Sequence, residues 1–160
     1  MVVRKANQSD IDKIMHLWKE FMSEHASLIE DPRIKEAIDF KDDAPVIFEA
    51  FIRNCIKSRR NTIFVADIDS QLVGFSKIQI NHNFPIFRTE IIGRITDLYV
   101  RKEFRNMSIS SELCKSAINW AKDRGAQYIS AGLFKENALA HLIYERMGFF
   151  DFHVEMRRKA

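Results

Sequence analysis

The chain has 160 residues, with 25 lysines and arginines against 22 acidic residues, which gives a net charge of +3. This is the length of one ordinary globular domain, and we expect residues 1–160 to form it. A composition of 46% hydrophobic and 29% charged residues excludes disorder as the main state. No apolar run approaches the ~18 residues of a membrane helix, and the opening residues MVVRKANQSD lack the apolar segment of a signal peptide. A cytoplasmic protein without a membrane partner is therefore predicted.

The residue types also argue against two kinds of site. Cys55 and Cys114 have no metal-ligand spacing and the five histidines are scattered singly, so no metal is expected. The only basic clusters that would support nucleic-acid binding are Arg59-Arg60 and Arg157-Arg158-Lys159. Such binding would fall steeply with salt, and without a basic stripe we expect no nucleic-acid partner.

The first third of the chain predicts a short strand at residues 2–6 and then two helices. Ser9 and Asp12 have the spacing of a capping box. The residues that follow in helical spacing are Ile11, Ile14, Met15, Trp18, Phe21 and Met22. A polar stretch, Glu30-Asp31-Pro32, interrupts this helix. Asp42, Asp43 and Pro45 suit the first turn of a second helix, whose apolar stripe is Phe48, Phe51, Ile52, Cys55 and Ile56.

The rest of the chain alternates between strand and helix patterns. A turn-like segment at 67–70 separates two β-rich runs and predicts a hairpin. Gly125 and Gly148 each follow a helical pattern and predict its end. The predicted elements are, in order, strands at 62–66, 72–80 and 91–100, a helix at 108–124, a strand at 128–133, a helix at 137–147 and a strand at 149–158. This order predicts an α/β fold with a mixed sheet and helices on its faces.

Residues 95–113 combine a strand, a short basic turn and the start of a helix. A helix that begins just past a strand end presents unpaired backbone N–H groups and the positive end of its dipole. Arg101, Lys102 and Arg105 add cations beside these amides. A phosphate or pyrophosphate is therefore the expected ligand, and an ordinary strand-to-helix connection with solvated charges is the alternative.

Residues 137–149 form the second segment of interest. Helical spacing places Asn137, Ala140 and Tyr144 on one face of the predicted helix. A tyrosine on such a face is either a core residue or a phenol that donates a proton to a leaving group.

Together the two segments resemble the motifs of the GNAT N-acetyltransferases. The run from Arg105 to Ser110, after the strand Asp97-Leu98-Tyr99-Val100, is similar to the family's acetyl-CoA motif, Arg-x-x-Gly-x-Gly/Ala. Ser108 and Ser110 stand where the family has glycine. Serine is small and a good N-cap, so we expect the Ser108 hydroxyl to cap the helix that follows.

The second segment matches the family's other motif, Asn-x-x-Ala-x-x-x-Tyr-x-x-x-Gly-Phe, from Asn137 to Phe149. The order of the predicted elements also resembles the GNAT fold from end to end. The resemblance therefore implies an α/β GNAT fold. In it, a mixed, mostly antiparallel sheet of six to seven strands is splayed at strands 4 and 5 and flanked by about four helices.

The resemblance implies a function as well, the transfer of an acetyl group from acetyl-CoA directly to a primary amine of a small molecule or peptide. In this family the pantetheine pairs with the splayed strand, the pyrophosphate rests on the amides of the following turn, and Tyr144 would protonate the leaving thiolate. The implied cofactor-binding residues are Leu98, Tyr99, Val100, Arg105, Asn106, Met107, Ser108, Ile109, Ser110, Ser111, Asn137, Ala140 and Tyr144.

Two parts of this function stay open in the sequence. Asp97 is the first candidate for the general base, and His82 or a water relay are the alternatives. The acceptor pocket of the family lies near the first two helices, where an acidic bias would suit a cationic amine. The residues concerned are Glu24, His25, Glu30, Asp31, Asp42 and Asp43. Solvated turn charges are the alternative explanation.

The chain end and the missing glycines add two further expectations. The run GFFDFHVEMRRK resembles GNAT proteins whose last strand lies at a dimer interface, so a homodimer is expected. The serines at 108 and 110 leave room for a second function, a catalytically silent acyl-CoA-binding regulatory module, since a Cβ can obstruct the approach of backbone to phosphate.

Overall fold

A computed structural model describes all 160 residues and contains five strands and five helices. None of the helices combines the length and the apolar character that a membrane crossing requires. The strands are β1 (Val2–Lys5), β2 (Asn61–Ile68), β3 (Gln71–His82), β4 (Ile91–Val100) and β5 (Tyr128–Ala131). The helices are α1 (Ile11–Leu28), α2 (Pro32–Ala37), α3 (Ala44–Lys57), α4 (Ile109–Lys122) and α5 (Ala138–Arg146).

The five strands form one mixed sheet in the order β1-β2-β3-β4-β5. The first three pairings are antiparallel, and β4 pairs with β5 in parallel. A bulge interrupts the β3–β4 register, because Lys77 faces Asp97 whereas Ile78 faces Ile95, which leaves Thr96 as the extra residue. The mixed α/β sheet predicted from the sequence is therefore confirmed, with five strands rather than six or seven.

The core has two layers because strand side chains alternate between the two faces of the sheet. Ile78 and Ile95 point to the face of the sheet that α4 covers. There they belong to one buried cluster with Leu113 and Trp120 of α4. The opposite face packs against α1 and α3. Its buried residues include Ile14, Leu17, Phe21, Ile52, Phe75 and Tyr99.

Two glycines allow α4 to pack closely on the sheet. A Cβ on Gly93 would lie 2.8 Å from the Ala121 Cβ, and one on Gly74 would lie 2.6 Å from the Tyr99 carbonyl oxygen and 3.3 Å from Leu113. All three distances are shorter than the ordinary contacts of a Cβ, so neither position has room for a side chain. The helix that follows β4 is thereby held directly over it.

The capping box lies two residues before its predicted place. Asn7 and Asp10 form it, with Asp10 accepting a hydrogen bond from the Asn7 N–H at 2.8 Å. Asp10 also pairs with Arg4 at 2.7 Å, which ties β1 to the start of α1. The assignment to Ser9 and Asp12 was wrong because the chain enters α1 through a 3-10 turn at Gln8–Asp10.

The strand predicted at 149–158 is absent from the structure. This segment has no helical or strand hydrogen bonding, and its alternate apolar side chains are exposed, from Phe152 at 84% to Met156 at 90%. A strand needs a neighbour to satisfy its backbone groups, and within one chain this segment has none.

Candidate functional site

The site begins where β4 and β5 separate. β5 pairs with β4 only between Ile92 and Ile95, so residues 96–100 of β4 have β3 on one side and no strand on the other. The bulge at Thr96 lies at the point of separation. An opening between β4 and the segment that follows β5 results, and it lies beside the start of α4.

The turn between β4 and α4 supplies a run of free backbone donors. The N–H groups of residues 106–111 donate no hydrogen bond within the protein, and the side chains of Asn106, Met107 and Ser108 are exposed. The amides at the start of α4 also carry the positive end of the helix dipole. Such an arrangement binds phosphate groups, which is the ligand that the sequence predicts for this turn.

Ser108 occupies the N-cap position of α4, as expected, but its hydroxyl makes no capping hydrogen bond. The predicted cap was therefore wrong. Its φ of 58° places the residue in the left-handed region that favours glycine, and Asn106 is left-handed as well at 64°. Ser110 lies in the first turn of α4 and has no such constraint.

The side chain of Arg105 turns back over the end of β4. It donates from Nε to the Val100 carbonyl oxygen at 3.0 Å and from Nη2 to Glu24 of α1 at 2.8 Å. Arg101 pairs in the same way with Glu20, one turn earlier on α1. These two ion pairs, which we call the α1 clamp, hold α1 against the turn between β4 and α4 and partly neutralise the cations predicted for a phosphate.

The second motif lies on α5, across the opening from β4. Asn137 is the N-cap of α5, and its side chain accepts a hydrogen bond from the Ala140 N–H at 3.1 Å. Tyr144 is 9% exposed and packs against the α4 layer, with the Phe149 ring edge-on at 5.0 Å. The Tyr144 hydroxyl has no hydrogen-bond partner in the protein and keeps some solvent contact. Burial raises the pKa of Tyr144 above its ordinary value near 10, and the phenol is protonated at neutral pH.

A buried ion pair lies at the bulge, on the α1 face of the sheet. The Lys77 Nζ is 2.8 Å from the Asp97 Oδ2, and the Thr96 hydroxyl donates to the same oxygen at 2.8 Å. The Lys77 ammonium also lies 4.6 Å from the centre of the Phe51 ring, a cation–π contact. Lys77 was missed by the sequence reasoning, although a lysine inside the apolar run 72–80 is a signal.

His25 of α1 is a second residue that the sequence analysis did not single out as a base. Its ring lies 4.2 Å from the Phe21 ring and 5.8 Å from the ring of Phe134, which follows β5. Burial lowers the pKa of His25, and the Asp97 carboxylate partly opposes this effect. The structure therefore brings α1, β4 and the segment after β5 together around this imidazole.

The remaining predicted residues have other surroundings. His82 ends β3 and is exposed, while Tyr99 and Leu98 point to opposite faces of β4. Of the acidic residues, Glu24 belongs to the α1 clamp and Asp31 caps α2. A cavity of about 340 Å³ lies between α1 and α3; its lining includes Trp18, Asp39, Phe40, Ile47, Phe48 and Phe51.

The chain is similar to known proteins along most of its length. Residues 12–149 match the model of the acetyltransferase (GNAT) family. An uncharacterized N-acetyltransferase of Archaeoglobus fulgidus is 25% identical over 144 residues, which are 90% of this chain and 89% of that protein.

Two solved structures share the fold. AAC(6')-Iy in complex with the bisubstrate analogue CoA-S-monomethyl-acetylneamine has a TM-score of 0.77 and 17% identity, over 99% of this chain and 97% of that one. A predicted acetyltransferase of Clostridium acetobutylicum, solved with acetyl-CoA, has a TM-score of 0.78 and 19% identity, over 99% and 95% of the two chains.

Proposed function

Since the chain belongs to the GNAT acetyltransferase family and is an acetyl-CoA-dependent N-acetyltransferase, we propose that it acetylates a primary amine of a small molecule or peptide in the opening between β4 and β5. The observation that carries this proposal is the run of free amides at 106–111, directly after the half of β4 that has no partner on one side. Residues 1–160 act as one catalytic domain.

Acetyl-CoA binds through backbone groups in this proposal. The pantetheine pairs with Leu98, Tyr99 and Val100, and the pyrophosphate accepts hydrogen bonds from the amides of residues 106–111. Arg105 contributes a cation at the edge of this turn, partly neutralised by Glu24. Asn137 and Ala140 act through the N-terminus of α5, which their hydrogen bond shapes.

The chemistry follows from these positions. The acceptor nitrogen attacks the thioester carbonyl carbon, whose oxygen is polarised by the β4 backbone. The C–S bond then breaks, and Tyr144 donates its phenolic proton to the departing CoA thiolate. A phenol that is protonated at neutral pH and that has no competing partner suits this role.

Asp97 is the first candidate for the general base from the sequence. One of its carboxylate oxygens pairs with the Lys77 ammonium and accepts a hydrogen bond from the Thr96 hydroxyl. These bonds reduce its availability to a proton from the acceptor. We therefore give it an electrostatic role in the site, as the carboxylate that stabilises positive charge near the bulge.

A homodimer is part of the proposal. The apolar side chains of residues 150–156 alternate along the chain without cover, and β5 has a neighbouring strand on one side only. Within the chain, the Asp151 carboxylate of this segment lies 2.8 Å from the His141 Nε2. A second copy offers both a strand partner and an apolar surface.

A free-thiol assay with acetyl-CoA tests the function. Its acceptor panel contains polyamines, amino sugars, aminoglycosides, amino acids, peptide N-termini and arylalkylamines, and calorimetry measures CoA binding separately. We expect CoA to bind and at least one primary amine to release thiol well above the rate without acceptor. A protein that binds CoA and releases no thiol with any amine is instead the silent regulatory module.

A further inference from the structure

The imidazole of His25 lies between α1 and the segment that follows β5. It projects from α1 between Phe21 and Phe134, so elements from both sides of the opening contact it. The ring is half-buried, and neither of its nitrogens has a hydrogen-bond partner in the protein. A nitrogen with a free lone pair, held by aromatic neighbours, is available to a substrate proton.

A base is needed because the attacking amine becomes positively charged as its bond to carbon forms. The other groups on this side of the sheet are less suited to take the proton. Lys77 is itself a cation bound to Asp97, and the Asp97 oxygen nearest to it already accepts two hydrogen bonds. Cys55 is buried, and burial raises the pKa of its thiol, so this residue is neutral and poorly basic.

We propose that His25 is the general base that accepts the proton of the acceptor amine; this inference rests on the proposed function. A neutral amine R–NH₂ attacks the carbonyl carbon, and its N–H proton moves to a ring nitrogen of His25. The C–S bond breaks, and the thiolate receives the proton of Tyr144. The products are the amide and CoA-SH, and the proton on His25 returns through solvent to the Tyr144 oxygen.

The charges around His25 favour this role. Burial lowers its pKa below the ordinary value near 6.5, which keeps the ring neutral and ready at pH 7. On the same face of the sheet, the Asp97 carboxylate stabilises the imidazolium that proton uptake produces. The Glu24 carboxylate, which Arg105 holds, also raises the pKa of His25. Lys77 pairs with Asp97, and Lys135 and Glu136 follow Phe134 in the chain.

The test compares His25→Gln with His16→Gln, an exposed histidine of the same helix. We expect His25→Gln to lower kcat by roughly 10²- to 10⁴-fold, the usual contribution of a general base, with CoA affinity within about threefold of wild type. The acid limb of the wild-type kcat profile, below neutral pH, should disappear in this variant and stay in His16→Gln. Imidazole should restore part of the turnover of His25→Ala.

A titration without substrate supplies an independent measurement. Proton NMR of the His25 ring, assigned through His25→Gln, should give a pKa below 6.5 that falls further in Asp97→Asn, since removal of the carboxylate removes the effect that raises it. A His25→Gln enzyme with wild-type kcat and an unchanged acid limb, or a His25 pKa above 7, would overturn this inference alone. A wild-type protein that binds CoA and acetylates no amine overturns the proposed function and this inference together.

Discussion

Ser108 has a backbone conformation that costs an L-residue about 1–2 kcal/mol and costs glycine almost nothing. Ser108→Gly should therefore raise the free energy of unfolding by up to about 1 kcal/mol, since the greater freedom of glycine in the unfolded chain offsets part of the gain. The amide stays in place and the Cβ is removed, so CoA affinity should stay the same or increase. Denaturant unfolding and calorimetry measure the two effects.

Ser110→Gly is the matched control for this prediction. Ser110 has helical geometry in the first turn of α4, where glycine is less favourable than serine by up to about 0.5 kcal/mol. The two substitutions should thus change stability in opposite directions. Equal losses of stability in both variants would show that the left-handed backbone at 108 is not a source of strain.

At the scale of single residues, local spacing predicted which residues share a helix start, but it gave the wrong caps at Ser9 and Ser108. Asn137 and Ala140 lie three positions apart at one helix start, and in the structure the Asn137 side chain accepts a hydrogen bond from the Ala140 N–H. The surroundings of His25 and Lys77 depend instead on elements that are distant in the chain and packed against them. Lys77 meets Asp97 across a bulge, and no local pattern predicts that contact.

At the scale of elements, the α1 clamp couples a helix of the acceptor side to the proposed phosphate turn. Arg105→Ala removes a charge-assisted hydrogen bond to Glu24 and the contact with the Val100 carbonyl. The substitution also removes the cation proposed to contact the pyrophosphate. A charge-assisted hydrogen bond of this kind contributes about 1.5–3 kcal/mol, so we expect CoA affinity to fall by roughly tenfold or more. Arg101 forms the other ion pair of the α1 clamp, with Glu20. We expect Arg101→Ala to lower CoA affinity less than Arg105→Ala, as measured by calorimetry.

Glu24→Gln distinguishes two ways in which Arg105 could affect CoA affinity, through its positive charge or through its hold on the turn between β4 and α4. The substitution keeps the side chain and removes the negative charge that neutralises the guanidinium. If the cation contributes to pyrophosphate binding, CoA affinity in Glu24→Gln should be unchanged or several-fold tighter. A loss as large as that of Arg105→Ala would mean that the clamp acts by positioning the turn.

The helices and strands were predicted correctly where the local pattern agrees with the packing. The prediction failed where a strand requires a neighbouring strand to form. β4 has the predicted bounds, Ile91–Val100, because its apolar residues face covered layers on both sides of the sheet. Residues 149–158 have an equally strong alternating pattern and form no strand, since their backbone has no neighbour in the chain. The capping box failed for a smaller reason, a 3-10 turn that shifts the helix start.

At the scale of the whole molecule, the exposed apolar side chains of residues 149–158, the C-terminal tail, predict a homodimer. Light scattering after size exclusion should show a dimer for the wild type and a monomer for Phe152→Asp, because a carboxylate replaces an apolar side chain that is 84% exposed in the single chain. His153→Ser, the adjacent position on the other side of the tail, should remain dimeric. A wild-type protein that is monomeric at about 100 μM would contradict the proposed dimer.

The most direct test of the proposed mechanism is the turnover of Tyr144→Phe on the best acceptor, measured together with its CoA affinity. The substitution removes only the hydroxyl of a buried ring and should preserve packing. We expect kcat to fall by about 10²- to 10⁴-fold, as for other general acids, while the dissociation constant of CoA changes by less than about threefold. Turnover near that of the wild type would contradict the assignment of Tyr144 as the proton donor in the opening between β4 and β5.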